Sequence, residues 1–145
     1  MAERADADES LVYEVLDLVF TLTDQTNALL ADTLGDLELT SVQAKALWQI
    51  EPSAAPTMRR LAASLHCDPS TVTFIADRLQ DKDLITRESD PANRRAKIVT
   101  LTERGLATRR RLATAMVTKS QVSQLSPAEQ RQLKRLLAKA VHTTG

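Results

Sequence analysis

The chain has 145 residues, 43% hydrophobic and 3% aromatic, which suits one domain with an aliphatic core. One cysteine excludes an internal disulfide, three glycines leave no glycine-rich phosphate loop, and no apolar run approaches the ~18 residues of a membrane span. Net charge is zero, with 19 basic and 19 acidic side chains, so any attraction to nucleic acid has to come from local clustering.

The opening residues 1–8 are polar and are read as disordered; MAERADADES has no basic start followed by an apolar core, so it is not read as a signal peptide. From Glu9 to Leu34, Leu11, Val12, Val15, Leu16, Val19, Phe20, Leu22, Leu29 and Leu30 recur at mostly helical spacing, and Gly35 is the expected stop. This helix is long for a small domain, and its apolar positions exceed what one small core needs, so a second chain is expected to cover the remainder. Thr40 opens the next helix, with Gln43 completing a capping box; Val42, Ala46, Leu47 and Ile50 are the expected inner face. EPSAAP, residues 51–56, holds two prolines and is a connector.

Residues 57–101 form the most informative stretch. Met58, Leu61, Ala62 and Leu65 give a short helix one apolar face, and His66 and Cys67 break the pattern. Asp68 then stands at an N-cap position with Pro69 at the first helical position, where its missing N–H costs nothing. Val72, Ile75, Ala76 and Leu79 form the buried stripe of the second helix, leaving Ser70, Thr71, Thr73, Phe74, Asp77 and Arg78 on the other face. Leu84–Glu88 and the β-branched run Ala96–Leu101 read as strands, joined by SDPANRR, a turn-forming loop ending in two arginines. Two helices around a tight turn, followed by a hairpin with a cationic tip, describe a winged helix-turn-helix.

Thr102 caps a third long helix carrying Leu106, Ala113, Met116 and Val117, with Gly105 where a capping-box acid would stand. Ser126, Pro127 and Glu129 start a final helix whose Leu133, Leu136, Leu137 and Ala140 are expected inward. Charge follows this division: residues 1–56 carry two basic and eleven acidic side chains, 57–111 twelve and seven, and 112–145 five and one. The basic excess coincides with the predicted wing.

The segments LTSVQAKALW, LAASLHCDPSTVTFIADRLQDKDLI and DPANRRAKIVTLTERG resemble, in order and spacing, the MarR/SlyA family of winged helix-turn-helix bacterial regulators. The resemblance covers essentially the whole chain. It implies a mainly α fold with a small β-wing, in which residues 38–101 are the DNA-binding lobe and 9–34 with 103–143 are dimerisation helices. It also implies a short third strand near residues 51–56, and a homodimer, more a repressor than an activator, on a pseudo-palindromic operator of double-stranded DNA. The usual control in that family is a small-molecule effector held between the dimer helices and the DNA-binding lobe, which points to Phe20 and Trp48, although helical spacing equally makes both core residues.

The expected DNA-binding residues are Ser70, Thr71, Thr73, Phe74 and Arg78 on the second helix and Asp90, Arg94 and Arg95 in the wing. Hydroxyls suit phosphates or bases, Phe74 suits a thymine methyl unless it is buried, and Arg78 suits a phosphate or an ion pair. By resemblance, Asp90 braces the wing through an arginine while Arg94 or Arg95 reaches a minor groove. The chain departs from the family at Phe74, where an arginine or a small residue is usual, and at Asn93, where an acid is common.

Two alternatives accompany this reading. One is a protein-interaction module that keeps the fold without binding DNA, which the zero net charge allows. The other is a thiol sensor at Cys67, which precedes a helix start; the peroxide-sensing branch of the family carries its cysteine in the first helix, where this chain has none. His66, Cys67 and Asp68 are too close in sequence to converge on a metal, so no metal or cofactor is expected. No nucleophile–base pair stands at a recognisable spacing, and the chain is read as a cytoplasmic non-enzyme.

Overall fold

The computed structural model describes residues 2–143, with side chains from Asp8 onward. Its elements are α1 (Ala2–Asp36), α2 (Ser41–Gln49), α3 (Met58–Ser64), α4 (Pro69–Asp81), β1 (Ile85–Ser89), β2 (Lys97–Leu101), α5 (Glu103–Lys119), a 3-10 turn (Gln121–Gln124) and α6 (Pro127–His142). The chain divides into two compact units, Met1–Ala31 with Met116–Gly145 and Asp32–Ala115. Among the described residues no helix is long and apolar enough to cross a membrane.

The unit Asp32–Ala115 holds nearly all of the core. Leu39, Leu47, Ile50, Leu61, Val72, Ile75, Leu79, Leu84, Ile85, Val99 and Leu112 are buried there, drawn from α2, α3, α4, α5 and the hairpin. Each such aliphatic side chain contributes about 1.5–3 kcal/mol of burial energy. Helix α2 begins with the predicted box: Gln43 N–H donates to Thr40 Oγ1 at 3.2 Å and Thr40 N–H to Gln43 Oε1 at 3.1 Å. Ala46, Leu47 and Ile50 of the expected inner face are buried, and only Val42 departs from it. Gln43 and Ala44 are buried and Val42 is 51% exposed, because the capping glutamine turns inward and also accepts from Lys82 Nζ at 3.2 Å.

Three helices stop in the same way, and none at the expected glycine. After α1, α3 and α4 the chain turns through Glu38, His66 and Asp83, each with φ between 51° and 57°. In each case the next amide bonds back to the final turn: Leu39 N–H to Leu34 O, Cys67 N–H to Ala62 O and Leu84 N–H to Leu79 O. Gly35 lies inside α1, not beyond it. These are Schellman closures, in which a left-handed residue satisfies otherwise orphaned carbonyls. Leu39 and Leu84, the residues that follow, are buried, so packing holds non-glycine residues in a conformation that costs them about 1 kcal/mol or more.

The hairpin pairs antiparallel from Ile85 opposite Leu101 to Ser89 opposite Lys97, one residue later at its start than the sequence suggests. The third strand implied near residues 51–56 is reduced to one bridge, Thr57 opposite Ile98, with Val99 N–H donating to Pro56 O at 2.8 Å. Proline explains the brevity, since Pro56 accepts from a ladder but has no N–H to return.

In the other unit, α1 begins at Ala2, not Glu9: AERADADE contains no glycine or proline and is rich in alanine and glutamate. Thr23 and Thr26 fold their hydroxyls onto the carbonyls of Val19 and Leu22, so neither leaves a donor idle. Helix α6 carries the predicted capping box between Ser126 and Glu129. Its expected inward residues are not buried within the chain, with Leu136 53% and Leu137 44% exposed.

Candidate nucleic-acid interface

Helix α4 owes its position to its first turn. The Asp68 carboxylate accepts from Thr71 N–H at 2.7 Å and from Ser70 Oγ at 2.8 Å. Those bonds, the Thr71 amide first, hold its carboxyl below the ordinary value of 3.8. The buried stripe Val72, Ile75, Ala76 and Leu79 anchors the helix as the periodicity predicts, so Ser70, Thr71, Thr73, Phe74 and Arg78 face solvent. The Thr73 hydroxyl donates to Pro69 O at 2.8 Å. Ser70 and Thr73 have thus committed their protons to the helix itself and turn lone pairs outward.

Phe74 is not buried. It is 58% exposed, with the Arg78 guanidinium 5.0 Å from its ring centroid. Arg78 is therefore an aromatic-stacked cation, and it forms no ion pair among the described residues. The carboxylate on this face is engaged elsewhere: Asp77 Oδ1 accepts from Arg87 Nη2 at 2.5 Å, and Arg87 Nε donates to Gln80 Oε1 at 2.9 Å. One arginine of β1 therefore fastens the hairpin to α4 and offsets the negative charge on the helix.

The hairpin tip is closed by its own short polar residues. Asp90 N–H donates to Ala96 O and Ala96 N–H to Asn93 O, both at 2.9 Å. The Asp90 carboxylate takes Ala92 N–H at 2.9 Å, and Asn93 Oδ1 takes Arg95 N–H at 3.2 Å. The bracing role implied for Asp90 is thus met by a backbone amide and not by an arginine. At Asn93 a neutral amide oxygen accepts that second N–H. Arg94 and Arg95 are exposed.

An open cleft of about 600 Å³ lies between the start of α3 and the hairpin tip, with Thr73 of α4 at its edge. Thr73, Asp90 and Arg95 line it together with Arg59 and Lys97, whereas Arg94 and the other α4 positions do not. Arg59 and Lys97 escaped the sequence reading, although the inward spacing of Met58 and Leu61 already turns Arg59 outward. Two structural anchors were also missed. Arg109 of α5 donates to Leu47 O and Trp48 O, each at 3.1 Å, and lies over the Trp48 ring at 5.7 Å. Gly105 packs directly on the Leu84 carbonyl.

Residues 39–97, spanning α2 to the start of β2, match the family model described as MarR family. That stretch carries the likeness of the chain to the MarR family. The chain is 30% identical over 96 residues to the HTH-type transcriptional regulator MgrA of Staphylococcus aureus, covering 66% of this chain and 63% of that protein. The chain thus spans less than two thirds of that relative's length. The winged-helix fold extends further along MarR-family structures. Mutant MarR from E. coli complexed with operator DNA superposes with a TM-score of 0.70 at 26% identity, over 89% of this chain and 94% of that one. BpsR of Bordetella bronchiseptica, whose DNA binding is regulated by 6-hydroxynicotinic acid, gives the same TM-score and the same coverage of both chains at 27% identity.

Proposed function

We propose that this chain is a sequence-specific, DNA-binding transcriptional regulator. It acts as a homodimeric repressor on a pseudo-palindromic operator and is released by a small ligand. The observation that carries the reading is the outward face of α4, with Ser70, Thr71, Thr73, Phe74 and Arg78 exposed, beside a hairpin tip exposing Arg94 and Arg95. A helix presents base-reading side chains to a major groove, and an arginine-tipped hairpin suits phosphates or a minor groove. The operator complex of E. coli MarR and the ligand-regulated DNA binding of BpsR support the same assignment.

Dimerisation is supported by the apolar surface of the terminal helices. Leu11, Val12, Leu16 and Phe20 of α1 are 47–66% exposed, and Leu136, Leu137 and Val141 of α6 are 44–67% exposed. Surface of that kind on a single chain marks an interaction site. Two recognition helices related by a twofold would then meet major grooves about 10 base pairs apart.

Fluorescence anisotropy against the DNA upstream of the coding sequence, with a random duplex as control, tests the assignment. Sedimentation equilibrium on the same preparation tests the dimer. The reading expects tight binding to the upstream fragment alone, by a species of twice the chain mass. Equal, weak binding to both duplexes, together with specific capture of a protein partner, would favour the interaction-module alternative.

A further inference from the structure

We propose that Phe74 and Arg78 act together as one reading unit for a thymine beside a guanine, with the thymine methyl against the phenyl ring and the guanine under the arginine. The proposal rests on the DNA-binding reading above and names the bases that this face of α4 distinguishes. It begins from an energetic oddity. A phenylalanine that is 58% exposed on a helix face otherwise polar gains little from the fold, whose buried stripe on α4 is complete without it.

The ring does have a partner. Arg78 lies one helical turn on, its guanidinium 5.0 Å from the ring centroid. Stacking on an aromatic face restricts a side chain that otherwise has many rotamers, and it uses the face of the guanidinium while the N–H donors lie along its edge. The adjacent acid does not compete for those donors, because Asp77 is held by Arg87 at 2.5 Å. What remains is an apolar surface and a bidentate donor held side by side.

The major groove offers a matching pair. Thymine alone among the bases carries a C5 methyl, and guanine alone presents the O6 and N7 acceptors that a guanidinium takes bidentately. Successive base pairs rise by about 3.4 Å, so a ring and a guanidinium in stacking contact address neighbouring pairs and not distant ones. Ser70 and Thr73, with their hydroxyl protons already committed, supply acceptors beside this unit and do not duplicate it.

The test is selection of the purified full-length chain on a random duplex library amplified with dTTP, followed by affinity measurements on the dominant duplex. The expected motif contains a T·A pair next to a G·C pair in each half-site. Replacing that one thymine by deoxyuridine, which removes only the methyl group, should weaken wild-type binding about three- to ten-fold. Phe74→Ala should bind the thymine and uracil duplexes alike, and Arg78→Ala should lose the loss of affinity caused by 7-deazaguanine at the neighbouring position. Selection of a motif that wild type binds equally with thymine or uracil overturns the reading unit while DNA recognition stands, as does a uracil penalty that persists in Phe74→Ala. Failure to enrich any sequence overturns both. The uracil arm alters only the DNA, so it does not depend on a variant folding.

Discussion

Gly105 sits so close to Leu84 that a β-carbon at residue 105 would stand 1.8 Å from the Leu84 carbonyl oxygen. The contact is one strand of a knot tying the end of α4 to the start of α5. Thr102 N–H donates to the same carbonyl at 3.1 Å, Thr102 Oγ1 donates to Asp83 O at 2.6 Å, and Gly105 N–H returns to Thr102 Oγ1 at 2.9 Å. The hairpin leaves α4 and re-enters a helix within this knot, so its geometry fixes where the wing projects. In an ordinary helix, replacing glycine by alanine gains about 1 kcal/mol. Here the methyl group meets backbone, and Gly105→Ala should cost about 1–3 kcal/mol in urea denaturation. Gly35→Ala is the control, because nothing lies within 4 Å of its added β-carbon, and it should stabilise by up to about 1 kcal/mol.

Arg109 closes the end of α2 from a distance in sequence. Its side chain is 17% exposed, and its two bonds go to carbonyls of the last turn: Leu47 O, which also accepts Ile50 N–H at 3.3 Å, and Trp48 O. Hydrogen bonds from a charged donor contribute about 1.5–3 kcal/mol, and Arg109→Ala should lose a similar amount in chemical denaturation. Arg109→Lys should recover only part of it, since an ammonium group lacks the planar fork that reaches both carbonyls.

How much of this was legible in the sequence depends on how local the cause is. The N-cap at Asp68, the two capping boxes and the stripe of α4 were readable, because each involves residues three or four apart. The helix stops were not. Gly35 was expected to end α1, and no left-handed residue was foreseen at Glu38, His66 or Asp83, whose backbone is held by burial of the leucines after Glu38 and Asp83 and by tertiary packing. Gly105 was noticed only as a missing acid, since its neighbour is a carbonyl 21 positions earlier. For the candidate site, periodicity exposed the face of α4 but could not say that Phe74 is open and stacked under Arg78, nor that Asp77 is already paired.

The Asp77–Arg87 pair should matter more for DNA than for folding. Both side chains are partly exposed, 52% and 23%, so the pair contributes under about 1 kcal/mol to stability. Arg87→Ala leaves the Asp77 carboxylate uncompensated on the proposed DNA face and should weaken duplex binding. Asp77→Asn added to that variant should restore much of the loss. Anisotropy titrations of the single and double variants check this, and additivity of the two effects would count against the charge argument.

Acid should loosen the start of α4. The Asp68 carboxyl is held below its ordinary value by the Thr71 and Ser70 bonds, so it releases its proton more readily in the folded chain than in the unfolded one. Its contribution is therefore fully present above the ordinary carboxylate value and is lost as pH falls through the lowered one. Glu129, held down by Ser126, behaves in the same sense at the start of α6. Asp68→Asn, which can still cap, should flatten the acid limb of a stability profile measured by thermal melts between pH 2 and pH 6 (a window on the order of the carboxylate range).

The claim that α4 and the hairpin tip hold DNA is tested most directly by the salt dependence of operator affinity for wild type, Arg94→Ala and Arg95→Ala. Phosphate contacts release counterions, so wild-type binding should fall steeply and linearly on a log–log plot of affinity against salt. An arginine that contacts a phosphate should, when removed, weaken binding to all sequences alike and lower the slope by about one, whereas one that reads a base should cost roughly 1–3 kcal/mol. Binding that neither responds to salt nor changes in either variant would contradict the account.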